Sequence, residues 1–394
     1  MPARPPTPYW RLSGFYFVYF ASLGALLPYW GLYLQDRGHD ALAIGQLMAV
    51  LMATKIVAPH LWAWLADRRG RHMPIVRFGS LAALVCFAGV LVDSSFAWLA
   101  LVMACFSFFW NATLPQFEAT TLNHLGPDRH RYSLVRLWGS IGFIVTAAGL
   151  GLLFDAIGRD WLPWLLLGNF ALIWLVGLSI PEAPAAPPPP AQPARLGRLL
   201  RRPEVLALLA TCLLMQASHG PYYAFFSIYL DQAGYPEDLI GSLWALGVVA
   251  EVLLFLVAHR LLARFGPQRL LLASLWLTVL RWLLIALLVD RLPWLLAAQL
   301  LHAASFGAFH AAAIHLVHGY FSGRYLGRGQ ALYSSLSFGA GGALGSLLGG
   351  VAWSLLGPAG SYLGAAGVAA LGALVSWRWL GGAAATPALP PTTG

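Results

Sequence analysis

The sequence predicts an all-α integral membrane protein, with twelve transmembrane helices arranged as two parallel six-helix halves. Three observations carry this. Of 394 residues, 59% are hydrophobic and only 10% charged. Soluble domains carry about 25% charged residues, so this chain cannot cover a water-facing surface of its size. Twelve apolar runs each reach the roughly 20 residues that a bilayer crossing needs. A segment of the first half also recurs in the second at a constant offset.

In chain order the runs are roughly 10–34, 41–66, 73–92, 96–123, 132–154, 161–180, 205–231, 238–262, 268–289, 293–320, 327–353 and 359–380. Glycine and proline interrupt many of them, which membrane helices tolerate where neighbours satisfy the freed backbone groups. Cys86, Cys105 and Cys212 fall inside runs without CxxC or metal-ligand spacing. They read as packing residues, and no metal or cofactor is expected. The first run is too long, and followed by too many others, to be a cleavable signal peptide. Trp161, Trp164 and Trp294 near run ends read as interfacial anchors.

An even number of spans puts both termini on one side. That side collects 17 of the 24 Lys and Arg residues, whereas the opposite loops hold only Arg37, Arg159 and Arg291. Positive loops stay inside, so both termini are expected in the cytoplasm and the protein in the cell inner membrane, a multi-pass monomer in the lipid bilayer. The net charge of +9 is thereby explained by loops beside a membrane rather than by nucleic-acid binding.

Pro181–Glu204 carries four consecutive prolines, Pro187–Pro190, and then Arg195, Arg198, Arg201 and Arg202. Such a segment is extended and forms no core. It reads as a cytoplasmic linker, residues 181–204, between an N-terminal bundle (1–180) and a C-terminal bundle (205–381), with a disordered tail at 382–394. Its basic end suits anionic lipid. The repeat supports the two halves. Tyr33, Leu34, Gly38, Ile44, Gly45, Leu47 and Ala49 recur as Tyr229, Leu230, Gly234, Ile240, Gly241, Leu243 and Ala245, each 196 residues on. Six spans separate the copies, so they share one orientation, as in carriers built on parallel repeats around a central site.

After the second span the chain reads Ala63-Trp64-Leu65-Ala66-Asp67-Arg68-Arg69-Gly70-Arg71-His72. This resembles the G-x-L-x-D-R-x-G-R-K loop signature of the major facilitator superfamily, with Ala63 in place of the first glycine and His72 in place of the lysine. Asp67, Arg68, Gly70 and Arg71 would form a cytoplasmic gate motif: a tight turn at Gly70, and Asp67 placed to pair with arginines or a helix end when that side closes. The second-half copy, Leu261 to Gly266, has Ala263 where the aspartate would be, which makes the gate asymmetric. Further matches narrow the resemblance. Val135-Arg136-Leu137-Trp138-Gly139-Ser140, Gly247-Val248-Val249-Ala250-Glu251, Arg281-Trp282, His219 with Tyr222-Tyr223, and the His302/His310 pair are similar to the phenylpropionate permease branch, close to the lactose-permease-like symporters. The likeness covers essentially the whole chain and implies proton-coupled uptake of a small organic solute.

Ionisable side chains at membrane depth cost ~2.5–3.5 kcal/mol each, so each needs a partner or a function. Glu118 and Arg136 stand nine residues either side of Pro127. Equal distances from a turn place them at similar depth, where a charge pair can form. Arg136 is expected to bind a substrate carboxylate or hydroxyl, with Glu118 holding it or accepting substrate hydrogen bonds. The resemblance implies the same, since in lactose permease a helix-four glutamate and a helix-five arginine at this separation bind substrate. The alternative is a structural pair near the helix ends.

Glu251 and Arg281 stand fifteen residues either side of Gly266, near the midplane. Movement of Arg281 would swing the proton affinity of Glu251, with His302 and His310 on broadly one face of the tenth span completing a relay. Lys55 is in repeat register with Glu251. Gln216, His219, Tyr223 and Phe226 follow helical spacing on the seventh span, with Tyr222 beside them, while Tyr16, Tyr19 and Phe20 can line the first. Stripes like these also serve as plain packing.

The expected function is proton-coupled symport of a small aromatic carboxylate such as 3-phenylpropionate by alternating access. A sugar or nucleoside symporter, a proton-driven drug efflux antiporter and, remotely, a non-transporting membrane sensor are the alternatives. No nucleophile–base pair or metal spacing supports an enzyme.

Overall fold

In hydrocarbon every backbone N–H and C=O must be satisfied within its own segment, so apolar runs of this length become helices. A computed structural model of the protein describes residues 7–183, 196–321 and 325–380. Every regular element among them is helical. The proline-rich stretch of the expected linker (184–195) and the expected tail (382–394) lie outside the described residues.

The helices are α1 (Tyr9–Asp36), α2 (Ala41–Arg69), α3 (Met73–Ala88), α4 (Phe96–Leu125), α5 (Tyr132–Ile157), α6 (Leu162–Ser179), α7 (Pro203–Ser218), α8 (Gly220–Gln232), α9 (Glu237–Phe265), α10 (Pro267–Leu288), α11 (Leu292–Leu300), α12 (Phe309–Tyr320), α13 (Leu326–Ser334) and α14 (Gly342–Leu380). Short 3₁₀ turns and one four-residue helix, Leu196–Leu199, fill the joints. Nine helical stretches among the described residues are long and apolar enough to cross a membrane. Two of these, Phe96–Ile157 and Leu326–Leu380, run to 62 and 55 residues, and the second is broken at Gly357 (φ 73°), ahead of Pro358.

By internal contacts the chain falls into two compact units. The first comprises Met1–Pro188 with Tyr223–Val249, and the second Pro189–Tyr222 with Ala250–Gly394. In the first, α1 packs along α5 and α6, and α4 along α2 and α3. Stacked rings fill its core: Phe15 on Phe117 at 3.8 Å and Tyr19 on Trp110 at 5.1 Å. In the second, α14 packs against α7 and α10. Two details shape that unit. The seventh apolar run is divided at His219 into α7 and α8, because Pro221 lacks the N–H that would continue the ladder. Two π-helical segments, Ala303–Ala308 and Ser335–Gly341, interrupt the later helices.

The α1/α5 contact relies on Gly142, where an added Cβ would lie 2.2 Å from the Phe17 carbonyl oxygen. Without a hydrophobic drive between helices, such close backbone approach is what holds membrane helices together. Gly142→Val should therefore destabilise the first unit by about 2–3 kcal/mol through overpacking. Gly149→Val on the same helix meets nothing within 4 Å and should be neutral. Comparison of the two thermal unfolding midpoints in detergent checks this, and equal midpoints would refute it.

Candidate functional site

Each unit holds one arginine seated on an aromatic face. In the first unit the Arg136 guanidinium lies over the Phe20 ring, 3.7 Å from its centroid, with Tyr16 at 5.7 Å. Gly139, one turn on, makes this stacking possible, since a Cβ there would lie 2.7 Å from Arg136 Nη1 and 2.8 Å from Phe20. Equal depth predicted a Glu118–Arg136 pair; the two make no direct hydrogen bond or ion-pair contact, although Arg136 lies within electrostatic reach of Glu118. Glu118 instead accepts a hydrogen bond from the Tyr132 hydroxyl at 3.2 Å. Arg136 has no hydrogen-bond or ion-pair partner among the described residues. The result is a partly buried cation with a bare donor edge, walled by Tyr16, Phe20 and Tyr132.

Lys55 also lacks a carboxylate partner among the described residues; its Nζ reaches only the Met52 sulfur, at 3.5 Å. Beside it, the Asn111 amide donates to Thr54 Oγ1, which donates to Ser107 Oγ, both at 2.9 Å.

In the second unit Arg281 is fully buried and surrounded by acceptors and rings. Its Nη1 donates to His302 Nδ1 at 3.0 Å and Ser305 Oγ at 2.9 Å, and its Nη2 to Gln299 Oε1 at 3.2 Å. The rings of Tyr222 and Trp282 lie 4.2 and 4.7 Å from the guanidinium carbon. Gln299 Oε1 also accepts from the Tyr222 hydroxyl at 3.0 Å. Glu251 faces the other side of the imidazole, 3.4 Å from His302 Nε2. The expected Glu251–Arg281 pair is thus a chain of three, carboxylate, imidazole and guanidinium. His219 is buried with its ring edge-on to Trp282, and its Nδ1 lies 2.9 Å from the Met215 carbonyl oxygen. Gln216 is buried one turn earlier, and its Nε2 has no partner among the described residues.

The relay expected from His302 to His310 is interrupted. Both rings stack on Phe306, at 5.6 and 6.1 Å, and a phenyl ring carries no proton. The three residues stand four apart, so they share one helix face, and the segment Ala303–Ala308 between them is π-helical. His310 Nδ1 lies 3.0 Å from the Tyr333 hydroxyl. Tyr223 is the first residue of the stretch assigned to the first unit, and Tyr222 the last of the stretch assigned to the second.

Around the signature loop, Gly70 adopts the left-handed conformation that ends α2, φ 63° and ψ 20°. Arg68 stacks on Trp64 at 4.0 Å, and Arg71 is exposed. Asp67 is exposed and unpaired among the described residues. His72 turns inward: its Nδ1 meets Gln116 Oε1 at 2.8 Å, while Glu182 caps α3 by accepting from the His72 and Met73 amides.

Sequence reading missed Gln299 and Ser305, although Gln299, His302 and Ser305 form a polar i, i+3, i+6 stripe in an apolar run. It also counted Arg159 merely as a loop charge. At the end of the first unit far from Asp67, Arg159 gathers three carboxylates: Glu237 at 2.5 Å, Asp231 at 2.6 Å and Asp36 at 3.3 Å. The signal was three acids at the ends of separate spans that topology puts on one side. Burial raises the carboxyls of Asp36 and Glu237 above the usual carboxylate range, with Arg159 opposing it. For Arg159 burial acts downward, and the three carboxylates outweigh it, so its guanidinium stays charged.

The carboxyls raised in this cluster bind protons more tightly there than when hydrated, so acidification stabilises it and a rise through their range weakens it. Arg159→Gln leaves three carboxylates facing one another. The variant should then unfold several degrees below the parent in detergent at neutral pH, with the gap narrowing toward acid pH as the carboxylates gain protons; equal midpoints at neutral pH would show that Arg159 does not hold the cluster.

The chain has relatives among known proteins. A family model described as "MFS_1 like family" matches residues 9–363. The chain is 31% identical over 351 residues to a "Probable 3-phenylpropionic acid transporter" of Escherichia coli (strain K12), covering 88% of this chain and 92% of that one. It is 28% identical to a "Maltose permease" of Geobacillus stearothermophilus, over 85% of both chains. The crystal structure of the nucleoside transporter NupG superposes with a TM-score of 0.83 at 17% identity, over 94% of this chain and 98% of that one.

Proposed function

The chain belongs to the MFS_1 like family of major facilitator secondary transporters, and on that premise we propose that it is a proton symporter that imports a small aromatic carboxylate such as 3-phenylpropionate. Its neighbours are transporters rather than enzymes. In this reading the long stretches Phe96–Ile157 and Leu326–Leu380 each hold two spans, and α7 with α8 forms one broken span. Added to the other single stretches, these give twelve in two six-helix halves, 1–180 and 205–381. Both termini are cytoplasmic in the inner membrane, and the protein works as a monomer. The Arg159 cluster is the extracytoplasmic closure, and Asp67, without a partner among the described residues, belongs to a released cytoplasmic gate.

One observation carries the substrate class: Arg136 sits over Phe20, 3.7 Å from its centroid, with no hydrogen-bond partner among the described residues. A carboxylate suits the bidentate edge of a guanidinium, and an aryl group suits the adjacent rings. Lys55, Gln216, His219, Tyr222 and Tyr223 complete the binding set, with Glu118 tuning Arg136 through the Tyr132 hydroxyl. Glu251, His302 and Arg281 form the proton-coupling set, and His310 stands behind Phe306.

The likeness to a maltose permease favours a sugar as the second reading, in which Glu118 accepts substrate hydroxyls. Proteoliposomes with an inward proton gradient separate the two. Labelled 3-phenylpropionate should accumulate and an uncoupler should collapse the accumulation, whereas maltose and uridine should not accumulate. Accumulation of maltose alone would establish the second reading. Accumulation indifferent to the uncoupler would remove proton coupling.

A further inference from the structure

We propose that the first unit binds the headgroup of an ethanolamine phospholipid in a cavity among its three loops at the Arg159 end. The cavity measures about 350 Å³ and lies between the end of α1, the turn after α3 and the start of α6. Ligand pockets begin at about 300 Å³, so a phosphoethanolamine group has room. Two contacts hold the loops around it. Arg37 Nη2 donates to Asp160 Oδ1 at 2.9 Å, and His39 Nε2 lies 2.9 Å from the Ser94 carbonyl oxygen. Exposed ties of this kind contribute little by themselves, and the proposed transport function uses neither.

One wall suits a cation. Residues 90–94 follow the C-terminal end of α3, where carbonyl oxygens without helical partners form the negative pole of the helix. Asp93 stands among them, and its carboxylate accepts from the Ser95 amide at 3.1 Å and the Ser95 hydroxyl at 2.5 Å. Those two hydrogen bonds hold the Asp93 carboxyl below the usual carboxylate range, so it is ionised at neutral pH. It has no ion-pair partner among the described residues, and each oxygen keeps a lone pair for a further donor. A primary ammonium brings three N–H donors to such a wall.

Arg37 supplies the complement. Its guanidinium lies 4.9 Å from the Tyr33 ring centroid, and Asp160 takes one of its five N–H groups. The others can hold phosphate oxygens. Two carboxylates against one guanidinium keep the cavity negative, which disfavours a headgroup that carries phosphate alone. A trimethylammonium group has no N–H to give. The zwitterion that joins a primary ammonium to a phosphate meets both walls.

A third feature points to a lipid as the source. Leu91, Val92 and Trp164, which also line the cavity, are 40%, 74% and 57% exposed. On a membrane protein such side chains face acyl chains, and tryptophan marks the headgroup level. The cavity therefore lies where a phospholipid presents its headgroup, with apolar side chains beside it for the glycerol and chain ends. A headgroup bridging Asp93 and Arg37 joins all three loops, because Arg37 already holds Asp160.

The test uses the full chain in detergent, with ethanolamine, choline and glycerol phospholipids of identical acyl chains, and counts bound lipid by native mass spectrometry. The ethanolamine lipid should be retained several-fold more than either of the others. An ethanolamine lipid carrying a photoactivatable diazirine near its glycerol should crosslink to peptides holding residues 90–94 or 160–164. Asp93→Asn and Arg37→Gln should each lower that crosslink about tenfold. Arg291→Gln, at an exposed loop arginine of the second unit, should leave it unchanged.

Unfolding midpoints control for folding and read the bound state. Without lipid, Asp93→Asn should melt with the parent. Added ethanolamine lipid should raise the midpoint of the parent, because a ligand of the folded state stabilises it, and should not raise that of Asp93→Asn. Equal retention of the three lipids, or crosslinks that map elsewhere, would overturn the proposal. Soluble phosphoethanolamine that raises the midpoint as much as the lipid would assign the cavity to a dissolved zwitterion and overturn the lipid.

Discussion

Replacing Glu251 by glutamine is expected to abolish uphill accumulation while sparing exchange across the membrane. A symporter driven by one proton can sustain about tenfold accumulation per unit of pH gradient, equivalent to about 1.4 kcal/mol. Glu251 is the carboxylate that faces the imidazole wedged against Arg281, and it supplies the counter-charge that keeps a proton in this cluster. A neutral amide cannot do so, and it can neither release a proton nor take one up before the empty carrier reorients. Exchange returns a loaded carrier and needs no such release. In proteoliposomes the accumulation ratio should therefore fall to unity while counterflow persists. Glu118→Gln should instead weaken binding, because Glu118 stands with Tyr132 beside Arg136. A Glu251→Gln protein that concentrates solute like its parent would place proton coupling outside this cluster.

Arg136→Lys is expected to weaken binding of 3-phenylpropionate by about 1.5–3 kcal/mol, roughly 10- to 150-fold. The charge is kept and the shape is lost. A guanidinium can lie flat on Phe20 and still offer two parallel N–H groups in the plane of its edge. An ammonium group has no plane, so it cannot stack and present a bidentate face together. Its shorter reach also leaves Phe20 uncovered. Titration calorimetry on the purified variant reads the effect directly. Affinity equal to that of the parent would remove Arg136 from the binding site.

Depth was legible in the sequence, and azimuth was not. Counting residues from Pro127 and from Gly266 put Glu118 level with Arg136 and Glu251 level with Arg281, because every helical residue advances the chain by the same rise. That count cannot say which way a side chain turns or which third helix intervenes. Arg136 turns to Phe20 of α1, and His302 of the following span enters between Glu251 and Arg281. The same limit separates His302 from His310. Their spacing suggested one shared face, and Phe306, four residues from each, occupies that face between them.

By itself the sequence determined the class of molecule, the family it resembles, the apolar runs and the charges held at membrane depth. These follow from composition and from one-dimensional periodicity, since hydrocarbon admits only segments that satisfy their own backbone. Only the tertiary structure decided which charges meet. It left Arg136 without a hydrogen-bond or ion-pair contact among the described residues, made His302 the link between Glu251 and Arg281, and gathered Asp36, Asp231 and Glu237 on Arg159. Those contacts join residues from helices far apart in the chain, and their geometry depends on helix rotation and on close approach at residues such as Gly139 and Gly142. Packing sets both, and no single segment encodes either.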